Sequence, residues 1–262
     1  MKGGLIRLCI ELFNSRNVLW QLVAQQLILR YRRTALGYLW TLVNPLLMMS
    51  VMALVFATLF KQDLKTFAVF LFAGMIPWNF FNSVVTQSSA ALINNEGLIK
   101  KIYLPKVIFP LSIAIACLID SALSFLALFI IILAVGGTLS WAIFFIPVAY
   151  LLLLVFSFGV GLAISIFTVF FRDFQHILLI AMQGLFFLTP ILYKNNALTG
   201  KMGWLIAWNP LIPFVDLFRG PLYGLAIPPT GTLLASTALS VLALVAGLAI
   251  FLAQERKIVF RL

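Results

Sequence analysis

Residues 29–45 read LRYRRTALGYLWTLVNP. Three arginines, Arg30, Arg32 and Arg33, stop at Thr34, and no charged residue follows until Lys61. A helix that crosses a bilayer needs about 20 predominantly apolar residues. Lys and Arg collect on the cytoplasmic side of such a crossing. A basic collar joined directly to so long an uncharged run therefore marks a membrane face and starts the first crossing, over residues 35–60.

The rest of the chain continues that event. Of its 262 residues, 63% are hydrophobic and 10% charged, against about 25% charged in a soluble domain. Such a chain cannot cover its own surface in water. It reads as an all-α integral membrane protein, a single domain over 1–262. Residues 1–34 form a cytoplasmic interface region, 35–254 the spanning region and 255–262 a cytoplasmic tail. The net charge of +11 would suggest nucleic acid in a soluble protein. Here it reads as the Lys/Arg bias of cytoplasmic loops, and no nucleic-acid partner is expected. Cys9 and Cys117 have no metal-ligand spacing. Residues 1–33 lack the uninterrupted apolar core and cleavage site of a secretory signal.

Outward from the collar, Leu5, Leu8, Cys9, Leu12 and Phe13 recur at helical spacing opposite Arg7, Glu11 and Asn14. This predicts an amphipathic helix in the interface plane, with 18–33 continuing helical. Downstream, the further spans are 67–90, with Pro77 inside, 110–135, with Asp120 inside, 142–171, 177–193 and 232–253. Residues 194–230 hold five prolines among tryptophans and phenylalanines. Too interrupted to cross and too apolar to be solvated, they predict two short re-entrant or gate helices, 198–208 and 211–223. Non-helical backbone at membrane depth survives only against protein or water-filled space. Six spans put both termini on one side. That side carries thirteen Lys and Arg and the other five, so both termini are expected in the cytoplasm.

The chemistry is sparse. There is no G-x-x-x-x-G-K-[ST] phosphate loop, so ATP is not bound by that route. One histidine, His176, offers neither a metal cluster nor a nucleophile's base in an evident pair, and no paired carboxylates are placed for acid–base work. The chain is therefore expected not to be an enzyme, and to hold neither metal nor cofactor. Asp120 is the acid inside a crossing, a functional candidate by default. A proton-coupled transporter using it is one reading, and a structural partner on a neighbouring span is the other. Tyr38 and Trp40, and Trp78, Phe80 and Phe81 beside Asn79 and Asn82, are candidate channel aromatics. Sugar rings stack on aromatic faces, whereas an ion path needs charges or carbonyl rings. Ordinary bilayer packing remains the alternative for each ring. The loop holding Asn94, Asn95, Glu96, Leu98, Ile99, Lys100, Lys101 and Tyr103 is either a solvated basic loop or a helical knob for a cytoplasmic partner.

Five stretches, in order, carry a resemblance. RYRRTALGYLWTLVNPLL (30–47), LIKKIYLPKVIFPLS (98–112), FFRDFQHIL (170–178), LTPILY (188–193) and NPLIPFVDLFRGPLYG (209–224) resemble the membrane subunits of ABC-2-type polysaccharide exporters. The resemblance implies a six-span permease of the bacterial inner membrane that dimerises around a channel. Two copies of a separate ATPase would bind ATP and Mg²⁺ and press on residues 94–103 as a coupling helix. The cargo would be a glycan on undecaprenyl pyrophosphate, with O-antigen first and capsule, teichoic acid or a small molecule as alternatives. Arg30, Arg32 and Arg33 would then meet either the pyrophosphate, which guanidinium pairs bidentately, or anionic headgroups.

Overall fold

The computed structural model describes residues 10–30, 36–134, 140–193 and 208–261. Among them the chain is helical, with α1 Arg16–Arg30, α2 Trp40–Leu59, α3 Leu64–Asn94, α4 Glu96–Lys101, α5 Ile108–Ala134, α6 Ile146–Phe170, α7 Phe174–Leu188, α8 Ile212–Leu222 and α9 Thr230–Arg261. Short 3₁₀ turns, Gly37–Leu39 and Trp141–Phe145, lead into α2 and α6. Among the described residues five helices are long and apolar enough to cross a membrane, and α7 is a shorter apolar one.

The organising element is α3. It packs against α2, α5, α6, α7 and α8, and residues 70–78 are buried without a break. Asp63 starts it: its carboxylate accepts from the Thr66 backbone N–H at 3.0 Å and from the Thr66 hydroxyl at 2.9 Å. These bonds satisfy an orphan donor of the first turn and hold the Asp63 carboxyl below its ordinary value of 3.8.

Helix lengths set the depth of everything else. At about 1.5 Å per residue, the 20 residues of α2 span about 30 Å, one hydrocarbon thickness. The 31 residues of α3 run about 46 Å. The hairpin at residues 60–63 aligns α2 and α3 at one end, so α3 overshoots α2 at the other. There it carries α4, followed by the first turns of α5. We call this the α4 end. The last turns of α9 reach it too, where Lys106 Nζ lies 3.9 Å from Glu255 Oε1. The tail at 255–261 is thus a continuation of the last spanning helix. Helix α1 packs on α5 through a face containing Leu22 and Val23, after a turn at Ser15 that follows helical residues 10–14. The remainder of the expected amphipathic segment lies outside the described residues.

Helices α6 and α9 run side by side in the same direction with no side chains at their nearest point. A Cβ on Gly247 would fall 2.8 Å from the Gly159 carbonyl carbon, and one on Gly159 would fall 2.5 Å from the Ala243 oxygen. Small residues let helix backbones approach where lipid gives no hydrophobic drive for association. The Ser240 hydroxyl adds a bond across the pair to the Leu152 carbonyl, at 2.8 Å.

The fifth span departs from expectation. It was expected over 177–193, whereas α7 begins at Phe174 and ends at Leu188. Pro190 is the cause. A residue before proline is driven out of the α region, and Thr189 has φ −90° and ψ 127°. At about 22 Å, α7 is shorter than the hydrocarbon core. The expected 211–223 helix appears as α8, buried on nearly every side, as backbone at membrane depth requires. Asn209 fastens its start. Its side-chain oxygen accepts from the Leu211 N–H at 2.9 Å, while its amide donates to Thr189 Oγ1 at 2.8 Å. The expected 198–208 helix lies outside the described residues, apart from the turn at Trp208.

Candidate functional site

Residues of three spans line a cleft of 340 Å³ with a polar and an apolar wall. Helix α2 contributes Thr41 and Asn44, α3 contributes Asn79, Asn82 and Ser83, and α5 contributes Asp120, Ser121 and Ser124. Met48, Met49, Met52 and Met75 form its apolar wall, with Phe80 beside them. The sequence places these side chains by helical repeat. Asn79, Asn82 and Ser83 lie at i, i+3 and i+4 on α3, and on α5 Asp120 and Ser121 each meet Ser124 one turn on, at i+4 and i+3.

Asp120 is the charged member. Its carboxylate accepts from the Tyr38 hydroxyl at 2.6 Å, a bond that ties the turn before α2 to the middle of α5. Tyr38 stands at the α4-end boundary of a helix only one bilayer long, so Asp120 lies near that boundary too. It sits about 18 Å from the start of α5, on the part of α5 level with the mouth of the first crossing. Nearby hydroxyls are satisfied locally: Ser124 donates to the Asp120 carbonyl at 3.0 Å, and Thr41 to the Tyr38 carbonyl at 2.6 Å. Ser121 and the buried Tyr150 hydroxyl meet at 3.0 Å, joining α5 to α6. A carboxylate, side-chain amides and hydroxyls on one wall, with thioethers and a ring on the other, suit a neutral polyhydroxylated ligand. The carboxylate and amides take hydroxyls, and the soft apolar wall takes C–H faces.

The structure separates the aromatic candidates. Tyr38 and Trp40 are each 36% exposed, whereas Phe80 borders the cleft at only 2% exposed. Trp78 and Phe81 are buried. Trp78 meets Phe186 edge-on at 5.5 Å, and Phe81 stacks on Phe156 at 5.5 Å. Both rings fill the interior where α3 meets α6 and α7, and Phe80 itself meets Tyr150 edge-on. The side chains of Arg30, Arg32 and Arg33 lie outside the described residues.

The α4 segment stands apart at the end of the overshoot. Glu96 and Lys100 pair one turn apart at 2.5 Å, which holds the Glu96 carboxyl below its ordinary value. Asn95 donates to the Ala91 carbonyl at 2.8 Å, closing the end of α3. Ile99 is buried and Leu98 half-buried against the bundle, so they anchor the segment. Asn94, Lys100 and Lys101 are exposed, as are Ile102 at 52% and Tyr103 at 85%. Ile102, one of the apolar residues the sequence places in this loop, faces outward, a placement that sequence reasoning did not reach. Its signal was the extended KIYLP run before Pro105 (φ −129°, ψ 134° at Ile102). The cleft residues Asn44, Ser83, Ser121 and Ser124 were also passed over, since hydroxyl and amide residues in apolar runs have many local uses.

The comparisons with known proteins agree with this architecture. The family model described as ABC-2 type transporter matches residues 17–223. An O-antigen export system permease protein of Myxococcus xanthus is 31% identical over 249 residues, 94% of this chain and 96% of that protein. One of Klebsiella pneumoniae is 31% identical over 196 residues, 72% of this chain and 74% of its own. A polysialic acid transport protein of Escherichia coli is 26% identical over 197 residues, 72% and 75% of the two chains. With a model matched over most of its length and a relative aligned nearly end to end, the chain belongs to the ABC-2 type transporter family.

Proposed function

We propose that this chain is the permease subunit of an ATP-driven polysaccharide exporter, with lipid-linked O-antigen as its cargo. One observation carries the reading: the cleft of Asp120, Asn44, Asn79 and Asn82 lies at the mouth of the first crossing in a chain similar end to end to an O-antigen permease. Hydroxyl-rich cargo suits that wall better than an ion does, because the amides and serines outnumber the single carboxylate. Tyr38, Trp40 and Phe80 would begin the glycan's path. Arg30, Arg32 and Arg33, eight residues or fewer before Tyr38, would meet the pyrophosphate of an undecaprenyl carrier at the same boundary. Two copies of the chain would enclose the channel in the bacterial inner membrane, with both termini cytoplasmic.

The drive would enter at the α4 end. The chain has no phosphate loop, so ATP and Mg²⁺ belong to a separate ATPase present in two copies. Residues 94–103 would receive its stroke. Ile102 and Tyr103 present apolar surface there, flanked by Lys100 and Lys101, while Leu98 and Ile99 root the segment in α3 and α5. Asp120 then serves as a polar tie to Tyr38 and a glycan contact.

Deletion of the gene, with extraction of the lipid carrier, tests the reading. Accumulation of undecaprenyl-linked glycan inside the cell, restored by the intact chain, is the expected result. Co-purification of an ATPase with the tagged permease is the second. A deletion strain with normal surface glycan and no lipid-linked intermediate sinks the proposal. The K. pneumoniae and E. coli relatives differ in the glycan their names specify. Mass analysis of the accumulated lipid therefore identifies the cargo.

A further inference from the structure

Arg219 counts in the sequence as one of the five Lys and Arg on the side away from the termini, within the expected 211–223 helix. In the structure it is 7% exposed, inside α8. Its Nη1 donates to the Pro190 carbonyl at 2.5 Å and its Nη2 to the Ile191 carbonyl at 2.7 Å. The guanidinium carbon lies 3.9 Å from the centre of the Phe70 ring, a cation–π contact. Its Nε makes no hydrogen bond among the described residues. The group fits because α3 has a glycine one turn beyond Phe70: a Cβ on Gly74 would fall 2.8 Å from Nη2. Three residues further on, Pro77 removes the backbone donor that would pair with the Ala73 carbonyl. Residues 73–77 are therefore the pliable turn of α3, and Arg219 lies across it.

One side chain thus holds three pieces of chain: the bend after α7, helix α8, and the weak turn of the central span. Shape-filling alone does not require a cation. An apolar residue of similar volume in a buried charge's place is often neutral or stabilising. What the guanidinium adds is direction, with two carbonyls fixed on one edge and a ring on its face. The α4 segment sits at the far end of the same helix, about 30 Å from Gly74.

We propose that Arg219 is a positioning residue for transport, fastening α8 and the 189–191 bend to the pliable turn of α3. Movement imposed at the α4 end then carries the re-entrant segment with it, and the two ends of the path open in a set order. This inference rests on the reading above that the drive enters at residues 94–103.

The test uses the full-length chain co-purified with its ATPase, in lipid vesicles. Spin labels go on Gln62→Cys and Leu192→Cys, which border one aromatic pocket beside Phe70 and Tyr223, with Cys9 and Cys117 replaced. The label distance is read with and without a slowly hydrolysed ATP analogue. In the otherwise native chain the distance shifts with nucleotide. Arg219→Met abolishes the shift and lowers glycan export at least about tenfold, the factor that about 1.4 kcal/mol represents, while ATP hydrolysis continues. Arg219→Lys restores part of both. Gly74→Ala, a milder change that displaces the guanidinium without removing it, uncouples in the same direction and carries the test if Arg219→Met does not fold. A folded Arg219→Met complex that shifts and exports as before overturns the proposal, as does a native complex whose labels never respond. Native complex that shifts with nucleotide but exports no glycan sinks the polysaccharide reading and supports the latch.

Discussion

The α6–α9 crossing gives the sharpest quantitative prediction. Gly247→Ala adds one methyl group where the Gly159 carbonyl carbon would be 2.8 Å away. Carbon atoms rest about 3.5–4.0 Å apart. The Gly159 carbonyl oxygen is nearer still, and backbone has no rotamer to change, so the helices must part by about 1 Å. Overpacking of this kind costs about 1–3 kcal/mol. Parting also stretches the Ser240–Leu152 bond from 2.8 Å beyond good hydrogen-bond length, and such bonds between membrane helices average about 0.6 kcal/mol. Against this, alanine gains up to about 1 kcal/mol over glycine in helix propensity. The net expectation is a loss of about 1–3 kcal/mol, within the span those principles set.

Gly184→Ala is the matched control, since an added Cβ there meets nothing within 4 Å and only the propensity gain of up to about 1 kcal/mol remains. Unfolding is followed by denaturant titration in mixed micelles. Gly159→Ala attacks the same contact from the other helix. Once one methyl has parted the helices the second meets less resistance, so the double variant costs less than the sum of the singles. Gly247→Ala as stable as the native chain refutes the close crossing. Strict additivity of the two substitutions refutes the claim that they share one contact.

Three further expectations follow from the site and its supports. Tyr38→Phe removes the donor to Asp120 and lowers stability by about 1 kcal/mol, a hydrogen bond to a charged group discounted for partial exposure, whereas Asp120→Asn keeps an acceptor there and retains most export in a cell-surface glycan assay; loss of export in a folded Asp120→Asn permease would favour a titrating carboxylate instead. The Asp63 cap has a folded-state pKa below 3.8, so its contribution is complete above 3.8 and disappears as pH falls through the lowered value. Thermal unfolding between pH 6 and pH 3 should show this loss, and Asp63→Asn, which still caps, should flatten it. Replacing Ile102 and Tyr103 together by Ala leaves unfolding unchanged, because both are exposed, and weakens retention of the ATPase on the tagged permease; undiminished retention would place the docking surface elsewhere.

The start of the first span was legible because it is written in charge, and charge reports directly on a membrane boundary. The two ends of α3 were not equally legible. Its first turn has a capping Asp63, but its last turns run on without charge through Ala90 and Ala91 to Asn95, because protein-buried turns beyond the bilayer are as apolar as turns within it. A span expected over 67–90 therefore became a 31-residue helix, and only that length reveals that α4 is held clear of the first crossing. Burial also decides where other side chains point, which the sequence alone does not show. Trp78 and Phe81 were candidates because rings beside asparagines suit a sugar, and in the fold they turn toward Phe186 and Phe156. Arg219 counted in the sequence only as a charge on the side away from the termini, though FRG followed by proline within an apolar helix has no water to point at. Its partner is a missing side chain, Gly74, 145 positions away. A glycine needed to make room for a distant cation leaves no local pattern, so neither residue betrays the other until the fold brings them together. That pairing also explains how an 11-residue helix too short to cross the membrane is held at depth: packing covers its sides, and one guanidinium closes the carbonyls that the proline bend leaves open.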